Sequence, residues 1–263
     1  ATANYRMMLI SGTNFEDTIF ENPTGSLTIN GGSMNDEIIV SSFDGRLEAG
    51  LVITGGSGTD SIDVQQNFTA RGITGASFDA EQVDVASVTA QGGAITITAL
   101  DIGLNGSTYS AFDAAGEDNS VVLDGSVSLD NAGLITVTSA GAVGETVSFT
   151  GDVNGAAGLS VSGGANGSVT FEGHVGGTTR LNSLSITGGA GITLDGGNLL
   201  TTGTQTFNST TTITTNTVFD ADDAKITFFG GLRGTAAGGA DNISIDVGTG
   251  TLEINNPIGD NGN

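Results

Sequence analysis

The sequence predicts an all-β fold, a right-handed parallel β-helix (β-solenoid) of about 22–24 residues per coil, on three observations. Leu27-Thr-Ile-Asn-Gly-Gly-Ser-Met-Asn-Asp-Glu-Ile-Ile-Val40 returns 24 positions later as Leu51-Val-Ile-Thr-Gly-Gly-Ser-Gly-Thr-Asp-Ser-Ile-Asp-Val64. Apolar residues alternate with Thr and Ser along short segments between glycine turns, and a period of two gives a strand one buried and one exposed face. The 263 residues include 44 Gly but no Trp and only 5% aromatics, too little bulk for a conventional globular core. Val, Ile, Leu and Thr suit strands instead.

Taken in order, residues 1–263 read as one continuous solenoid in which residues 1–70 form acidic Gly-Gly-turn coils. A looser copy, Leu9-Ile-Ser-Gly-Thr-Asn-Phe-Glu-Asp-Thr-Ile19, sets Gly12, Asp17 and Ile19 where Gly31, Asp36 and Ile38 stand, so three successive coils are expected at this end. Met7-Met-Leu-Ile10 is too short for a signal-peptide core, and a chain opening at Ala1 rather than Met is expected to have lost a leader or to be a piece of a longer protein. Further strands follow at Ala94–Ala99, Ser120–Asp124, Val127–Leu129 and Leu134–Thr138. Residues 104–119, with Tyr109 and Phe112, lose the alternation and read as a loop insertion or an irregular coil corner. A second motif, Phe-x-Gly-x-apolar-x-Gly, begins at Phe149, Phe171 and Phe228, with a degraded copy at Ile254. Roughly ten to twelve coils rising about 4.8 Å each would make a rod about 50 Å long.

Val175-Gly-Gly-Thr-Thr-Arg-Leu-Asn-Ser-Leu-Ser-Ile186, Thr201-Thr-Gly-Thr-Gln-Thr-Phe-Asn208 and Gly248-Thr-Gly-Thr-Leu-Glu-Ile254 resemble the repeats of filamentous-haemagglutinin-type large bacterial exoproteins and adhesins. The resemblance covers residues 145–263. It implies a right-handed parallel β-helix at the bacterial cell surface, extracellular, with a structural role and no catalytic residues. Gly55-Gly-Ser-Gly-Thr-Asp-Ser-Ile-Asp63 resembles the nonapeptide Gly-Gly-x-Gly-x-Asp-x-apolar-x of secreted calcium-binding repeat proteins. That resemblance implies Ca²⁺ held by the Asp60 carboxylate and the Gly55 and Ser57 carbonyls, with Asp36 and Asp17 in the same place on neighbouring coils. Met34 and Phe15 replace the second-turn glycine, and the steps from Asp17 to Asp36 and from Asp36 to Asp60 are each far wider than a nonapeptide. The other reading of these carboxylates is metal-free capping of tight turns. Against it, carboxylates stacked at the inter-strand spacing of about 5 Å repel one another unless a cation or a displacement separates them.

Charge and composition narrow the function. With 29 acidic against six basic residues the net charge is −23, which repels nucleic acid and anionic membranes. Cysteine is absent, so disulfides, thiolate sites and cysteine nucleophiles are excluded. No apolar run reaches the roughly 20 residues of a membrane-spanning helix. His174, the sole histidine, occupies a repeat position and reads as a solvent-facing variant. A β-helix polysaccharide lyase or glycosidase would draw on Asp79, Glu81 and Asp84 with Arg71, residues that a solvated strand face explains as well. The expectation is therefore a non-enzymatic structural module of a surface fibre or adhesin, associating end to end with other copies or adjoining repeats. A receptor- or glycan-binding segment is the alternative, with residues 104–119 as the contact loop and a host or cell-surface receptor as partner.

Overall fold

A segment alternating Ile or Val with Thr or Ser can bury one face only if a neighbour stacks in register above and below it. The chain supplies that neighbour from its own next coil. The computed structural model describes residues 7–12, 15–43, 47–112, 118–140, 142–235 and 242–259, with side chains from Ile19 onward, and among these there is no helix. From Ser26 to the Ile258 bridge the strands stack in parallel as a β-solenoid of about nine turns, fewer than the ten to twelve expected. Coil length is also less uniform than expected. The coil joining the register partners Ala76 and Ile95 is much shorter than the next, which joins Ile95 and Val121.

Each turn contributes to three rows of strands. The first row runs from Ser26–Ser33 through Gly50–Ser57, Ala76–Asp79, Thr146–Phe149 and Ser168–Phe171 to Leu232–Gly234. The long strands Ile95–Leu104 and Val121–Leu129 bend across a corner, so their second halves join Gln82–Val85 and Val153–Asn154 in a second row. The bridges Val153 to Val175 and Val175 to Leu199 carry that row on to Thr217–Asp220 and Ile243–Asp246. The third row is a nine-stranded sheet from Phe68–Ala70 to Leu252–Ile254.

The inward positions form one continuous core. Leu51, Phe78, Ile97, Leu123, Phe149 and Phe171 are closed to solvent on the first row, as are Val88, Tyr109, Val137, Val161, Ile186, Phe207 and Phe228 on the third. Outward positions on the third row are Thr and Ser: Thr108, Thr136, Ser160, Ser185 and Thr206 stand in register, followed by Thr227, which is covered. Gln205, in register with Leu184 and Ile226, interrupts the apolar inward pattern. It lies in the core with its Nε2 donating to the carbonyls of Leu199 and Asp220, both at 2.9 Å.

Three expectations are corrected. Residues 7–21 do not form a solenoid coil: Met7–Gly12 and Phe15–Glu21 pair antiparallel as a hairpin, with Ile10 opposite Thr18. Phe20 from this hairpin packs against the core. The hairpin lacks the repeat spacing and the second Gly-Gly strand that fix parallel register, so local antiparallel pairing wins. Of the expected insertion at residues 104–119, residues 104–112 are not a loop, because Thr108–Phe112 is a full strand of the third row, paired with Val88–Gln91 and Leu134–Thr138. Tyr109 is its buried centre. Its hydroxyl donates to the Val85 carbonyl at 2.7 Å and accepts from the Gly106 amide at 2.9 Å, and burial raises its pKa well above the usual phenol value. Residues 113–117 of that stretch lie outside the described residues. Finally, the Phe motif divides between two rows: Phe149 stacks on Phe171 in the first, whereas Phe228 pairs with Phe207 and Ile254 in the third.

The glycine of Phe-x-Gly has a steric reason. A Cβ on Gly125 would lie 1.8 Å from the Ala99 carbonyl oxygen, one on Gly151 2.5 Å from the Gly125 backbone, one on Gly173 2.3 Å from the Gly151 backbone, and one on Gly196 1.8 Å from the Gly173 carbonyl oxygen. Successive coils touch backbone to backbone at this corner, and only glycine leaves room.

Candidate functional site

The chemically distinctive residues gather at the turns between the first and second rows at the N-terminal end. Gly31 and Gly55 follow the strand segments Leu27–Asn30 and Leu51–Thr54, which pair residue for residue. The chain then turns through Met34 at φ 94° and Gly58 at φ 152° and resumes in the paired strands Glu37–Val40 and Ser61–Val64. Met34 thus adopts a left-handed conformation that glycine occupies for less strain, and its side chain is exposed.

Asp36 and Asp60 are brought together as expected from the repeat. Asp60 is 2% exposed, and its Oδ1 accepts the Asp36 amide at 2.8 Å. The Asp60 amide in turn donates to Glu81 Oε2 at 2.7 Å, so carboxylates on the second and third coils each hold an amide of the coil before. Glu81 was not expected here. Only its place one short coil after Asp60 in the chain hints at the role.

The second oxygens of both aspartates, Asp36 Oδ2 and Asp60 Oδ2, are shut off from solvent and have no hydrogen-bond partner. They lie over the two glycines: a Cβ on Gly31 would be 2.5 Å from the Gly55 carbonyl oxygen and 2.9 Å from Asp36 Oδ2, and one on Gly55 would be 2.7 Å from Asp60 Oδ2. Carboxylate and carbonyl oxygens are the donor chemistry of a hard divalent cation, and here each carboxylate packs directly against the glycine of its own coil. Among the described residues no three or more Asp, Glu and His side chains gather as a metal site, so such an ion would depend on two carboxylates, backbone oxygen and water.

The other expected ligands behave differently. Ser57 carries its side chain into solvent, and its carbonyl accepts the Met34 amide at 2.8 Å. Asp17 lies on the antiparallel hairpin rather than on a rung beneath Asp36, and its side chain lies outside the described residues. Capping of inter-coil amides recurs along the rod without any carboxylate pair: Asn35 Oδ1 accepts from Thr59 N at 3.0 Å, Asn67 Oδ1 from Ser87 N at 2.9 Å, and Asn154 Oδ1 from Thr178 N at 2.8 Å. These Asn side chains satisfy their acceptors, whereas Asp36 Oδ2 and Asp60 Oδ2 do not.

Three of the groups a carbohydrate-cleaving reading would need engage different partners. Arg71 reaches the Leu47 carbonyl at 3.2 Å, Glu81 is committed to the Asp60 amide, and Asp84 accepts from Gln82 Nε2 at 2.8 Å. His174 is exposed at a corner, its amide donating to Asp152 Oδ1 at 2.7 Å. Two clefts, about 240 Å³ beside Arg233 and Asn256 and about 150 Å³ beside Phe43 and Arg71, fall below the ~300–1,000 Å³ of ordinary ligand pockets.

Carboxylates also crowd the second row. Asp63 and Asp84 are register partners. A Cβ on Gly103, the next residue in that row, would lie 2.0 Å from Asp84 Oδ1 and 3.0 Å from Asp130 Oδ2. Partial burial, and then the charge of Asp84, raise the Asp130 pKa above the usual carboxylate value. A raised acid is favoured neutral in the fold, so its ionisation penalises the folded state as pH climbs past the ordinary range, and the penalty disappears on acidification. Asp130→Asn should therefore raise Tm at neutral pH by about 1–3 °C, as expected for a screened surface charge. At pH 3 the gain should shrink toward zero, which thermal melts at the two pH values would check. Asp220 has the opposite sign: its hydrogen bond from Arg180, across two coils, lowers its pKa, and that contribution is lost as pH falls below the ordinary carboxylate value.

No protein-family profile matches the chain, and no curated protein or solved structure is significantly similar to it.

Proposed function

We propose that this chain is a rigid structural module of an extracellular bacterial surface fibre or adhesin. The observation that carries the reading is the unbroken parallel stack from Ser26 to Ile258, in which each turn adds rod length. A solenoid of this kind is a one-dimensional object whose rungs contact only their neighbours, which suits a spacer. Its strongly acidic surface keeps neighbouring rods apart and attracts divalent counter-ions.

Calcium belongs to the same proposal. It would sit between the first two coils on Asp36, Asp60 and the Gly55 carbonyl, supplying charge neutralisation to two buried carboxylate oxygens. With so few protein ligands its affinity should fall in the roughly 10⁻⁴–10⁻³ M range of extracellular modules. The C-terminal rung offers the surface for end-to-end association: Leu252 and Ile258 there are 41% and 52% exposed, and among the described residues the strand Leu252–Ile254 pairs on one side only, while Leu232–Gly234 is covered in part by the Leu232 bridge to Ile258. An unpaired parallel edge is a template for a further strand, whether from another copy or from adjoining repeats.

Negative-stain electron microscopy of the purified chain in millimolar CaCl2 and in excess EGTA tests the reading. Straight rods, alone or joined end to end, are the expected result. Compact particles with no long axis would overturn it.

A further inference from the structure

We infer that Asn166-Gly167 is a self-modification site, at which the folded chain deamidates its own asparagine and so converts the turn before Ser168–Phe171 to aspartate or isoaspartate. The inference is independent of the fibre reading and requires no partner molecule but water.

The chemistry is intramolecular. The Gly167 amide nitrogen gives up its proton and bonds to Asn166 Cγ, the Cγ–Nδ2 bond breaks, and Nδ2 leaves as ammonia with that proton. Water then opens the five-membered imide. Entry at Cγ gives aspartate, whereas entry at the main-chain carbonyl gives isoaspartate, whose backbone runs through the former side chain and is one methylene longer. Glycine after the asparagine leaves the attacking nitrogen unscreened by a Cβ. What remains is whether that nitrogen and Cγ can meet, and the fold decides this site by site.

Asn-Gly steps occur at Asn30, Asn105, Asn154, Asn166 and Asn261, the last outside the described residues. Three of the others are restrained. Asn30 lies in the strand Ser26–Ser33 opposite Thr54, and Gly31 packs against the Gly55 carbonyl, so the extended backbone has no room to fold back on the side chain. At Asn105 the nucleophile is engaged, because the Gly106 amide donates to the buried Tyr109 hydroxyl at 2.9 Å. At Asn154 both reacting groups are engaged: Oδ1 accepts the Thr178 and Thr179 amides at 2.8 and 3.2 Å, and the Gly155 amide donates to the Thr179 carbonyl at 3.2 Å. Asn166 differs from all three. It is exposed in the turn between Gly158–Ser162 and Ser168–Phe171, and among the described residues neither its side chain nor the Gly167 amide has a hydrogen-bond partner.

The product matters because this turn abuts the next coil. The Gly164 and Gly167 carbonyls accept the Gly189 and Ala190 amides, both at 2.9 Å. The fit is close: a Cβ on Gly189 would lie 1.8 Å from the Ala165 carbonyl oxygen and 2.8 Å from the Asn166 nitrogen. Isoaspartate inserts a methylene between the two hydrogen-bonded carbonyls, so they no longer match the spacing of the amides opposite. Aspartate adds the same charge without lengthening the backbone, and leaves the match intact.

Peptide mapping by mass spectrometry tests the site, on the full chain aged at mildly alkaline pH either folded or in urea. In the folded chain Asn166 should deamidate at least about tenfold faster than Asn30, Asn105 and Asn154, the penalty expected for reacting groups held out of position. In urea the four rates should converge, since only the shared Asn-Gly chemistry is left. Asn166→Gln, which can close only a slower six-membered ring, should lose the fast reaction and leave the others unchanged. Hydrogen–deuterium exchange then reads the consequence: residues 187–191 should exchange faster in aged rods that carry isoaspartate at 166 than in fresh ones, and Asn166→Asp should exchange like the fresh wild type. Asn166 surviving in the folded chain while it reacts in urea would overturn the site. Similar rates at all four positions in the folded chain would overturn selection by the fold. Unchanged exchange at residues 187–191 in isoaspartate-bearing rods would overturn the loosened coil contact.

Discussion

Truncating Phe207 to alanine is expected to cost about 3–5 kcal/mol and to loosen the last three rungs together. Phe207 is closed to solvent, its ring stacks on Phe228 at 4.7 Å in the next coil, and it meets Phe219 edge-on at 5.4 Å across the core. Phe219 and Phe228 close the triangle at 5.2 Å. Three rings from two rows hold each other in place, and a cavity here can collapse only partly, because the strands that carry the surrounding side chains are fixed by inter-coil hydrogen bonds. Urea unfolding followed by circular dichroism measures the loss. A double-mutant cycle with Phe219→Ala should show a coupling of about 0.5–1.5 kcal/mol, the usual worth of an aromatic pair beyond its buried area. A cost below about 1 kcal/mol would mean that the rungs repack freely, contrary to the close packing described.

Gly173→Ala should be at least as damaging, by about 3 kcal/mol or more, although it adds a single methyl. That methyl would lie 2.3 Å from the Gly151 carbonyl carbon and oxygen, and the obstructing atoms are backbone, with no rotamer to yield. The coils must part at this corner, straining the bridge from Val153 to Val175 and the stack of Phe149 on Phe171 beside it. Gly25→Ala is the matched control: a Cβ there meets nothing within 4 Å, so its effect should stay within about 0.5 kcal/mol. Limited proteolysis would locate the damage, with new cleavage near residues 151–175 in Gly173→Ala and none in Gly25→Ala. Equal melting temperatures for the two variants would falsify the backbone-contact account of the motif.

These two residues also show what could be read in the chain and what could not. The repeat of the first two coils predicted their register to the residue, because Leu27, Ile29, Ile38 and Val40 fall opposite Leu51, Ile53, Ile62 and Val64. Phe149 and Phe171 were likewise legible, and so was the step from Phe228 to Ile254. Joining those two pairs into one family failed. Phe-x-Gly records an inward side chain before a corner, and a three-sided coil has more than one place where that local need arises. The strand holding Tyr109 was missed because its hydroxyl finds partners inside, at Val85 and Gly106, so a residue that looks polar in sequence sits in the core. The burial of Gln205 was not foreseen for the same reason, although its strand is legible in the sequence. At the acidic turns, Asp36 and Asp60 came from the motif, but Glu81 did not, since its contact depends on a coil length that only the folded stack sets. Asp17 was placed by analogy with Asp36, and antiparallel pairing took its strand elsewhere.

The single-file arrangement of coils has a mechanical consequence. Tension on the two ends of such a rod falls on the bonds between an end coil and its neighbour, while the coils behind remain shielded until that one lets go. A coil occupies about 4.8 Å of rod, yet its roughly 20–26 residues stretch to about 65–90 Å once freed. Each release would therefore lengthen the tether many times over and lower the load before the next coil is exposed to it. The molecule would behave under pull as a coiled rope paying out line, and rewinding would need only the next coil as its pattern.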